Sequence, residues 1–184
     1  TLIVPSLPSL YEAHPQLRLE VMADDRISDM ARDGVDIAIR TGVTLGDNLV
    51  ARQIAEHGRR LCAAPDYLTR FGTPQHPDEL TSHRLITSSA SPGLNRWPWA
   101  ARAGQPKGAV FLAKGHTRTD NSAILLSLTL RGMGIARLNE LLSAPYLARG
   151  ELVPVLDDWF DHSRIPIHAV MLAERHRLPK LRAC

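Results

Sequence analysis

Three groups of polar residues stand where short apolar segments end, and their side chains are of the kinds that bind small anions. Arg40, Thr41 and Gly42 close the segment DGVDIAIRTG. Arg40 carries a guanidinium that can hold a carboxylate or phosphate through two hydrogen bonds. Thr41 adds a hydroxyl, and Gly42 allows close approach of the backbone. An equally good interpretation is that Arg40 pairs with an acid of its own chain, such as Asp36 or Asp47.

Small hydroxyl, carboxylate and amide side chains follow the segment HRLI and precede the segment AILLSLTL. They are Thr87, Ser88, Ser89, Asp120, Asn121 and Ser122. Asn121 is most simply the N-cap of a helix, although a helix start can also receive an anion. Trp97 and Trp99 lie between the two groups, and each can line a pocket or pack over a core. We therefore predict a binding pocket that collects strand ends and one helix start.

The sequence contains none of the patterns that commonly support catalysis or metal binding. Eight histidines occur, yet there is no HExxH or CxxC motif and no GxSxG elbow. GMGIAR follows a helical segment, whereas a dinucleotide-binding turn follows a strand. Cys62 lies in the apolar segment RLCAAP, where a thiol is normally a core residue. We expect no catalytic residue, no metal site and no cofactor.

Apolar residues recur with two periods along the chain, which is typical of an α/β protein. Ile3, Leu7, Leu10 and Tyr11 have helical spacing, and strict alternation predicts a half-exposed strand in LRLEVM. VDIAI is predicted to be a buried central strand. LVARQIAEHGRRLCAAPDYL is predicted to be extended segments that lead into a helix. HPDEL predicts a short helix with Pro77 in its first turn, and HRLITSS predicts a strand.

Later segments continue the alternation of strands and helices. Residues 89–108 are rich in Ser, Pro, Gly and Ala, so we predict a loop there. AVFLAK, GIARL, ELVPVL and PIHAVML are predicted strands. AILLSLTLRGM and NELLSAPYLARG are predicted helices, the first ended by Gly132 or Gly134 and the second by Gly150. Similar patterns precede and follow Cys62, so we expect two α/β lobes.

Bulk properties exclude several classes of protein. The chain has 184 residues, 44% of them hydrophobic and 22% charged, and no apolar run approaches the roughly 20 residues of a membrane helix. The net charge is only +3 and the basic residues are scattered, so this chain lacks a nucleic-acid footprint of its own. The first residues show no signal peptide, and the two cysteines, Cys62 and Cys184, are far apart. We therefore expect a cytoplasmic protein without membrane contact.

A series of segments resembles, in order and spacing, the effector-binding domain of LysR-type transcriptional regulators. The segments are HPQLRLEV, DGVDIAIRTG, NLVARQI, RRLCAAPDYL, FGTPQHPDEL, HRLI, DNSAILLSLTLRGMGIARL, LARGELVPVLDDW and IPIHAVM, which cover nearly the whole chain. The resemblance implies two Rossmann-like lobes of the type II periplasmic-binding-protein fold, joined by crossover strands around a ligand cleft. We expect residues 1–61 and 157–184 to form lobe I and residues 62–156 to form lobe II.

The resemblance also implies parts that would precede residue 1, namely a winged helix-turn-helix, a linker helix and the first strand of lobe I. DNA would then be contacted only through that amino-terminal domain. The expected function is to sense a small, anionic effector for a bacterial transcription factor. The residues expected to bind the effector are Arg40, Thr41, Gly42, Thr87, Ser88, Ser89, Trp97 and Asn121.

Two other functions stay open from the sequence alone: a periplasmic solute-binding protein of the same fold, and a small α/β enzyme. A winged helix-turn-helix upstream of Thr1 favours the regulator, and a cleavable signal there favours the solute-binding protein. Turnover of a substrate favours the enzyme.

Surplus apolar residues on two helices predict a homodimer. The helix that begins near Ala123 carries leucines and isoleucine around more of its circumference than one sheet can cover. The resemblance implies that this helix meets the first helix of a partner across a two-fold axis, and that the full-length protein is a tetramer. The residues expected in the dimer interface are Leu2, Ile3, Leu7, Leu10, Ile124, Leu125 and Leu128.

Overall fold

A computed structural model describes residues 3–23, 29–42, 48–100, 108–175, 178 and 181. The chain divides into two compact units, residues 1–57 with 164–184 and residues 58–163. Residues 58–61 and 157–163 thus belong to the second unit, a few residues from the boundaries expected from the sequence. The strand Arg59–Ala63 explains the first shift, because it is hydrogen-bonded to two other strands of the second unit.

The first unit contains one short helix and a three-stranded antiparallel sheet. Helix α1 spans Leu7–Ala13. Strands β1 (Ala38–Thr41) and β2 (Leu49–His57) flank β10 (Ile165–Leu172) on either side. In this sheet the chain returns from the second unit as β10, which pairs along its whole length with β2. Met30, Val170 and Leu172 form the buried core beneath the sheet.

The second unit is built on a five-stranded sheet of order β7-β4-β8-β3-β9. Its strands are β3 (Arg59–Ala63), β4 (Leu85–Ser88), β7 (Thr117–Thr119), β8 (Ile135–Asn139) and β9 (Val153–Pro154). Strand β4 runs parallel to both β7 and β8, whereas β3 runs antiparallel to β8 and β9. A hairpin of β5 (Arg96–Pro98) and β6 (Val110–Leu112) is added outside this sheet.

Both faces of the five-stranded sheet are buried. Neighbouring residues of a strand enter different cores: Leu61, Leu85 and Ile135 pack on one face, and Cys62, Ile86 and Ala136 pack on the other. This separation follows from the two-residue period of a β-strand. It also explains why the strand sequences are nearly continuous apolar runs, which is typical of parallel strands covered on both sides.

Three α-helices and several short 3-10 helices cover the sheet of the second unit in the described part of the chain. Helices α2 (Pro65–Phe71), α3 (Ser122–Leu130) and α4 (Glu140–Ala148) follow the predicted positions closely. The predicted HPDEL helix is the 3-10 helix Pro77–Thr81. Gly132 ends α3 and Gly150 ends α4 with φ angles of 69° and 71°, the left-handed region that glycine favours. Among the described residues no helix is long and apolar enough to cross a membrane.

Three predicted elements differ from the structure. The LRLEVM segment, residues 17–22, pairs with no described strand, and Val21 and Met22 are exposed. An alternating pattern alone therefore did not make a strand, since a strand needs a hydrogen-bonded neighbour. VDIAI is not central, because β1 pairs only with β10 among the described strands. The predicted loop at residues 89–108 contains β5, which pairs with the AVFLAK strand; residues 101–107 lie outside the described residues.

Gly134 provides a test of the close approach between the loop before β8 and the backbone before β4. A Cβ atom added there would lie 2.3 Å from the carbonyl oxygen of Arg84, which is backbone and cannot rotate away. We expect Gly134→Ala to destabilise the chain by roughly 1–3 kcal/mol, measured by urea unfolding. Gly93→Ala is the control because nothing lies within 4 Å of the added atom. Equal unfolding midpoints for both variants would contradict the close approach.

Candidate functional site

A pocket opens in the second unit at the carboxyl ends of β4, β7 and β8. All three strands point the same way, so Ser88, Thr119 and Asn139 end at one edge of the sheet. Open α/β sheets bind ligands at this edge, where strand ends and helix starts converge. The polar residues lining the pocket are Arg59, Thr87, Ser88, Asn95, Thr119, Asn121, Ser122, Arg137 and Asn139.

Hydrogen bonds fix the backbone at the end of β4. The side-chain oxygen of Asn95 accepts a hydrogen bond from the Ser88 backbone amide at 2.9 Å. The side-chain nitrogen of Asn95 donates to the Ser88 carbonyl at 2.8 Å. The Ser88 hydroxyl accepts the Ser91 amide at 3.1 Å. Thr87 and Ser88 are buried, and both line the pocket. The turn after β4 is therefore held in place before any ligand is bound.

The start of α3 forms a second wall. The Asn121 side-chain oxygen accepts the amides of Ala123 and Ile124 at 2.9 and 3.1 Å, which makes Asn121 the N-cap. The Asn121 amide in turn donates to the Thr119 hydroxyl at 3.2 Å. The positive end of the helix dipole accordingly lies beside the pocket, where negative charge is stabilised. Asn121 serves as a cap and lines the pocket as well.

Two arginines supply the charge of the pocket. In the pairing of β3 with β8, Arg59 is opposite Asn139 and Leu61 is opposite Arg137, so the two arginines are diagonal neighbours on one face of the sheet. Burial and, to a smaller extent, the charge of Arg59 together lower the pKa of the Arg137 guanidinium to about 10, while Asp161 opposes the shift. Arg137 still carries its charge at neutral pH.

The described residues provide Arg137 with few hydrogen bonds to replace the water that it loses. Its terminal nitrogen donates to the Asp161 carbonyl at 3.4 Å, and its Nε atom is buried without a hydrogen-bond acceptor. A buried cation without full hydrogen bonding is costly. An anion between Arg59 and Arg137 would relieve their repulsion and supply an acceptor for the Arg137 Nε atom.

The remaining wall is apolar and comes from both cores of the unit. It consists of Ile86, Leu94, Trp97, Leu125, Leu126, Leu138 and Leu142. Trp97 is only 1% exposed and packs between Phe111 and Phe160, with ring centroids 5.6 and 6.3 Å away. Trp99 packs on Trp159 and does not line the pocket. Trp97 is thus a core residue whose edge contributes to the wall.

The structure brings together some of the predicted binding residues and not others. Thr87, Ser88, Trp97 and Asn121 line the pocket, whereas Ser89 is exposed and its amide donates to the Thr119 carbonyl. Arg40, Thr41 and Gly42 belong to the first unit and do not line this pocket. Their role in binding stays a prediction. Asp47, a possible partner of Arg40, lies outside the described residues.

Sequence reasoning missed Arg59 and Arg137. A signal was present, since the segment GIARL places an arginine inside an otherwise apolar strand of a buried sheet. Such an arginine must either find a partner or mark a site. The proximity of Arg59 could not be read from the sequence, because it depends on which residues of β3 and β8 face each other.

Metal binding and thiol chemistry have little support in the described part of the chain. No three His, Cys, Asp or Glu side chains there are placed to hold a metal ion. Cys62 is buried, and burial raises the pKa of its thiol to about 12, so the thiol stays protonated and is a poor nucleophile at neutral pH. Cys184 lies outside the described residues.

Comparison with known proteins identifies a family. A family model described as the LysR substrate binding domain matches residues 1–184. The chain is 35% identical to the uncharacterized HTH-type transcriptional regulator YhjC of Escherichia coli over 85% of this chain and 52% of that protein. It is 30% identical to the regulator CrgA of Neisseria meningitidis over 95% of this chain and 57% of that protein. The chain thus spans about half the length of these relatives.

Solved structures agree with this likeness. The regulatory domain of CrgA from Neisseria meningitidis superposes with a TM-score of 0.87 at 28% identity, over 98% of this chain and 87% of that one. Full-length AphB, a virulence activator of Vibrio cholerae, superposes with a TM-score of 0.81 at 25% identity, over 99% of this chain and 60% of that one. The two-lobed periplasmic-binding-protein-like fold expected from the sequence is confirmed.

The capping role of Asn121 can be tested by substitution. Asn121→Ala removes the acceptor of two helix amides, so we expect a loss of roughly 1 kcal/mol in the free energy of unfolding. Asn121→Asp keeps a good capping side chain and should retain the stability. Asp120→Ala, at the exposed neighbouring position, is the control. A stable Asn121→Ala variant in urea unfolding would show that the cap contributes nothing.

Proposed function

We propose that this chain, which belongs to the LysR substrate-binding domain family, is the ligand-sensing regulatory domain of a bacterial transcription factor and that its effector is a small anion. Membership of the family confirms the resemblance expected from the sequence. The observation that carries the anionic effector is the half-buried guanidinium of Arg137, whose Nε atom is buried without an acceptor, beside Arg59 in the pocket of the second unit. The relatives and structural neighbours are regulators, which supports this function over a solute-binding protein or an enzyme.

The proposed effector combines a carboxylate or similar anion with an apolar body. The anionic group would lie between Arg59 and Arg137, close to the start of α3, where two charges and a helix dipole act together. The apolar body would contact Leu94, Leu125 and Leu142. Thr87 and Ser88 offer hydroxyls that can orient the bound molecule. Such a division between an apolar wall and a few polar groups is usual for small-molecule pockets.

Regulation would follow from differential binding. An effector can shift a regulator between conformations only by the difference between its affinities for them. Because Asn121, Thr119 and Ser88 are already fixed by hydrogen bonds, the free pocket is largely preformed. Little binding free energy is then needed to order the pocket. Most of it can shift the equilibrium between the conformations of the full-length regulator.

The remaining parts of the proposal concern the longer protein. DNA would be bound by an amino-terminal winged helix-turn-helix, the regulator would act in the cytoplasm as a homodimer or tetramer, and this domain would catalyse no reaction. For the dimer, the structure leaves Ile124 on α3 51% exposed, with Val4 and Tyr11 exposed near α1. Ile3, Leu7, Leu10, Leu125 and Leu128 are half-buried within their own units, and Leu2 lies outside the described residues.

An anion should stabilise the chain through Arg137. We expect benzoate and hexanoate to raise the melting temperature in a thermal-shift assay, and benzamide and hexanamide, which have nearly the same shape without the charge, to leave it unchanged. Arg137→Gln should weaken carboxylate binding by at least roughly 30-fold, because a lost buried ion pair costs about 2–5 kcal/mol. The free Arg137→Gln variant should be no less stable than the wild type, since a costly buried charge has been removed.

Two controls decide where the anion binds. Arg118→Gln removes an exposed arginine of β7 that does not line the pocket and should retain binding. Arg40→Ala tests the site expected from the sequence. If Arg40→Ala abolishes the carboxylate shift and Arg137→Gln does not, the proposed pocket is wrong.

The dimer is tested at Ile124. Ile124→Arg would place an unpaired charge in the interface, which costs about 3 kcal/mol and should raise the dimer dissociation constant roughly 100-fold while the monomer stays folded. Ala144→Arg adds the same charge at an exposed position of α4 and should leave the dimer intact. Sedimentation velocity measures the oligomeric state of each variant, and circular dichroism measures whether it is folded. A wild-type chain that sediments as a monomer at high concentration, or a dimeric Ile124→Arg variant, would refute this interface.

A further inference from the structure

An exposed phenylalanine lies between two arginines at the end of the second unit's sheet opposite the pocket. Phe71 is the last residue of α2 and is 40% exposed. The guanidinium carbons of Arg70 and Arg84 lie 5.2 and 5.1 Å from the centre of its ring, within the range of cation–π contacts. Met133, which is 42% exposed, lies in the adjoining loop. We call Arg70, Phe71, Arg84 and Met133 the arginine–phenylalanine patch.

Buried contacts hold this patch in place. The Phe71 ring packs on the Tyr67 ring with centroids 4.8 Å apart, and Tyr67 is only 1% exposed. The Tyr67 hydroxyl accepts the Arg84 amide at 2.9 Å and is hydrogen-bonded to His83 Nδ1 at 3.0 Å. The backbone of Arg84 and the ring of Phe71 are therefore fixed by the same buried tyrosine. A preformed surface of this kind loses little entropy when it binds.

The loop that carries Met133 is fixed beside the same residues. A Cβ atom on Gly132 would lie 3.7 Å from the Tyr67 amide nitrogen, and one on Gly134 would lie 2.3 Å from the Arg84 carbonyl oxygen. The Ile135 amide donates to that carbonyl at 2.8 Å. The backbone on either side of Met133 is thereby held next to Tyr67 and Arg84, which places Met133 beside the two arginines and Phe71.

The charges of the patch are not neutralised within the described part of the chain. Neither Arg70 nor Arg84 forms an ion pair with a described carboxylate, although Asp66 lies one turn earlier on α2. Both arginines are exposed. The patch thus combines free positive charge with an aromatic ring and a methionine. Arginine, aromatic residues and methionine are the side chains enriched in the cores of protein interfaces.

We propose that the arginine–phenylalanine patch docks an acidic segment of a partner protein, in which carboxylates flank an apolar side chain. The carboxylates would pair with Arg70 and Arg84, and the apolar side chain would lie against Phe71 and Met133. A nucleic acid fits less well, because backbone recognition uses an extended basic stripe, whereas this patch has two guanidiniums around an apolar centre. The docking surface is distinct from the effector pocket and does not depend on it.

The test uses a labelled peptide and the 184-residue chain. The probe is the fluorescein-labelled peptide GEEDWLEDEG, compared with GQQNWLQNQG, which keeps the apolar residues and removes the charge. We expect the acidic peptide to bind and the amide peptide to bind at least roughly tenfold more weakly in fluorescence anisotropy. Arg70→Glu and Arg84→Glu should each weaken the acidic peptide roughly tenfold, and Phe71→Ala should weaken it as well. Arg118→Glu, the same charge reversal on β7, should change the affinity less than twofold.

Mapping by NMR separates this surface from the effector pocket. In a 15N-labelled chain the peptide should shift the amides of residues 70–72, 84 and 131–134. Shifts confined to residues 87–88, 119–122 and 137–139 would overturn the proposal, because the carboxylates would then occupy the pocket. Equal binding of the acidic and amide peptides, or tighter binding of a ten-nucleotide single-stranded DNA, would overturn it too. Melting curves of each variant confirm folding, and Arg84→Gln serves as a milder substitution if Arg84→Glu unfolds.

Discussion

The parallel pairing of β4 with both β7 and β8 is the constraint on which the second unit depends. Parallel strands bring all their carboxyl ends to one edge, so the polar residues that follow each strand must meet there. They also require connections that cross a face of the sheet, which are supplied here by elements such as α3 between β7 and β8. The sheet is then buried on both faces, and its strand ends are where polar groups can reach a ligand.

The position of Arg137 in this buried sheet is energetically unfavourable. A guanidinium on β8, a strand whose neighbouring residues Ala136 and Leu138 are buried, loses solvation and faces the like charge of Arg59. A core residue at this position would satisfy the apolar pattern of the strand better. The strand pairing of β8 and the two hydrophobic cores stabilise the unit enough to keep this poorly solvated charge in the sheet. Locally unfavourable residues in a well-packed frame are a common property of binding sites.

Much of the fold could be predicted from the sequence, because periodicity and helix-ending glycines are local signals. Helices α3 and α4 and strands β4 and β8 fall where the pattern of apolar residues placed them. The errors occur where a partner decides the outcome. LRLEVM has a strand pattern but no described partner strand, and β5 has a loop composition but a partner in β6. Among the pocket residues, the sequence indicated Thr87, Ser88 and Asn121, because they lie at the end of a strand or at the start of a helix. It did not indicate Arg59 and Arg137, because their proximity depends on the register of β3 against β8.

Strands β4 and β8 carry both surfaces of the second unit. Arg84 precedes β4 and Ser88 ends it, while Met133 lies just before β8 and Arg137 lies within it. At about 3.3 Å per residue, each strand separates a patch residue from a pocket residue by roughly 13 Å. Interior strands between two packed cores do not deform continuously. The sheet therefore holds the two surfaces at a fixed separation, so that the proposed effector and the proposed partner segment would bind without competing for side chains.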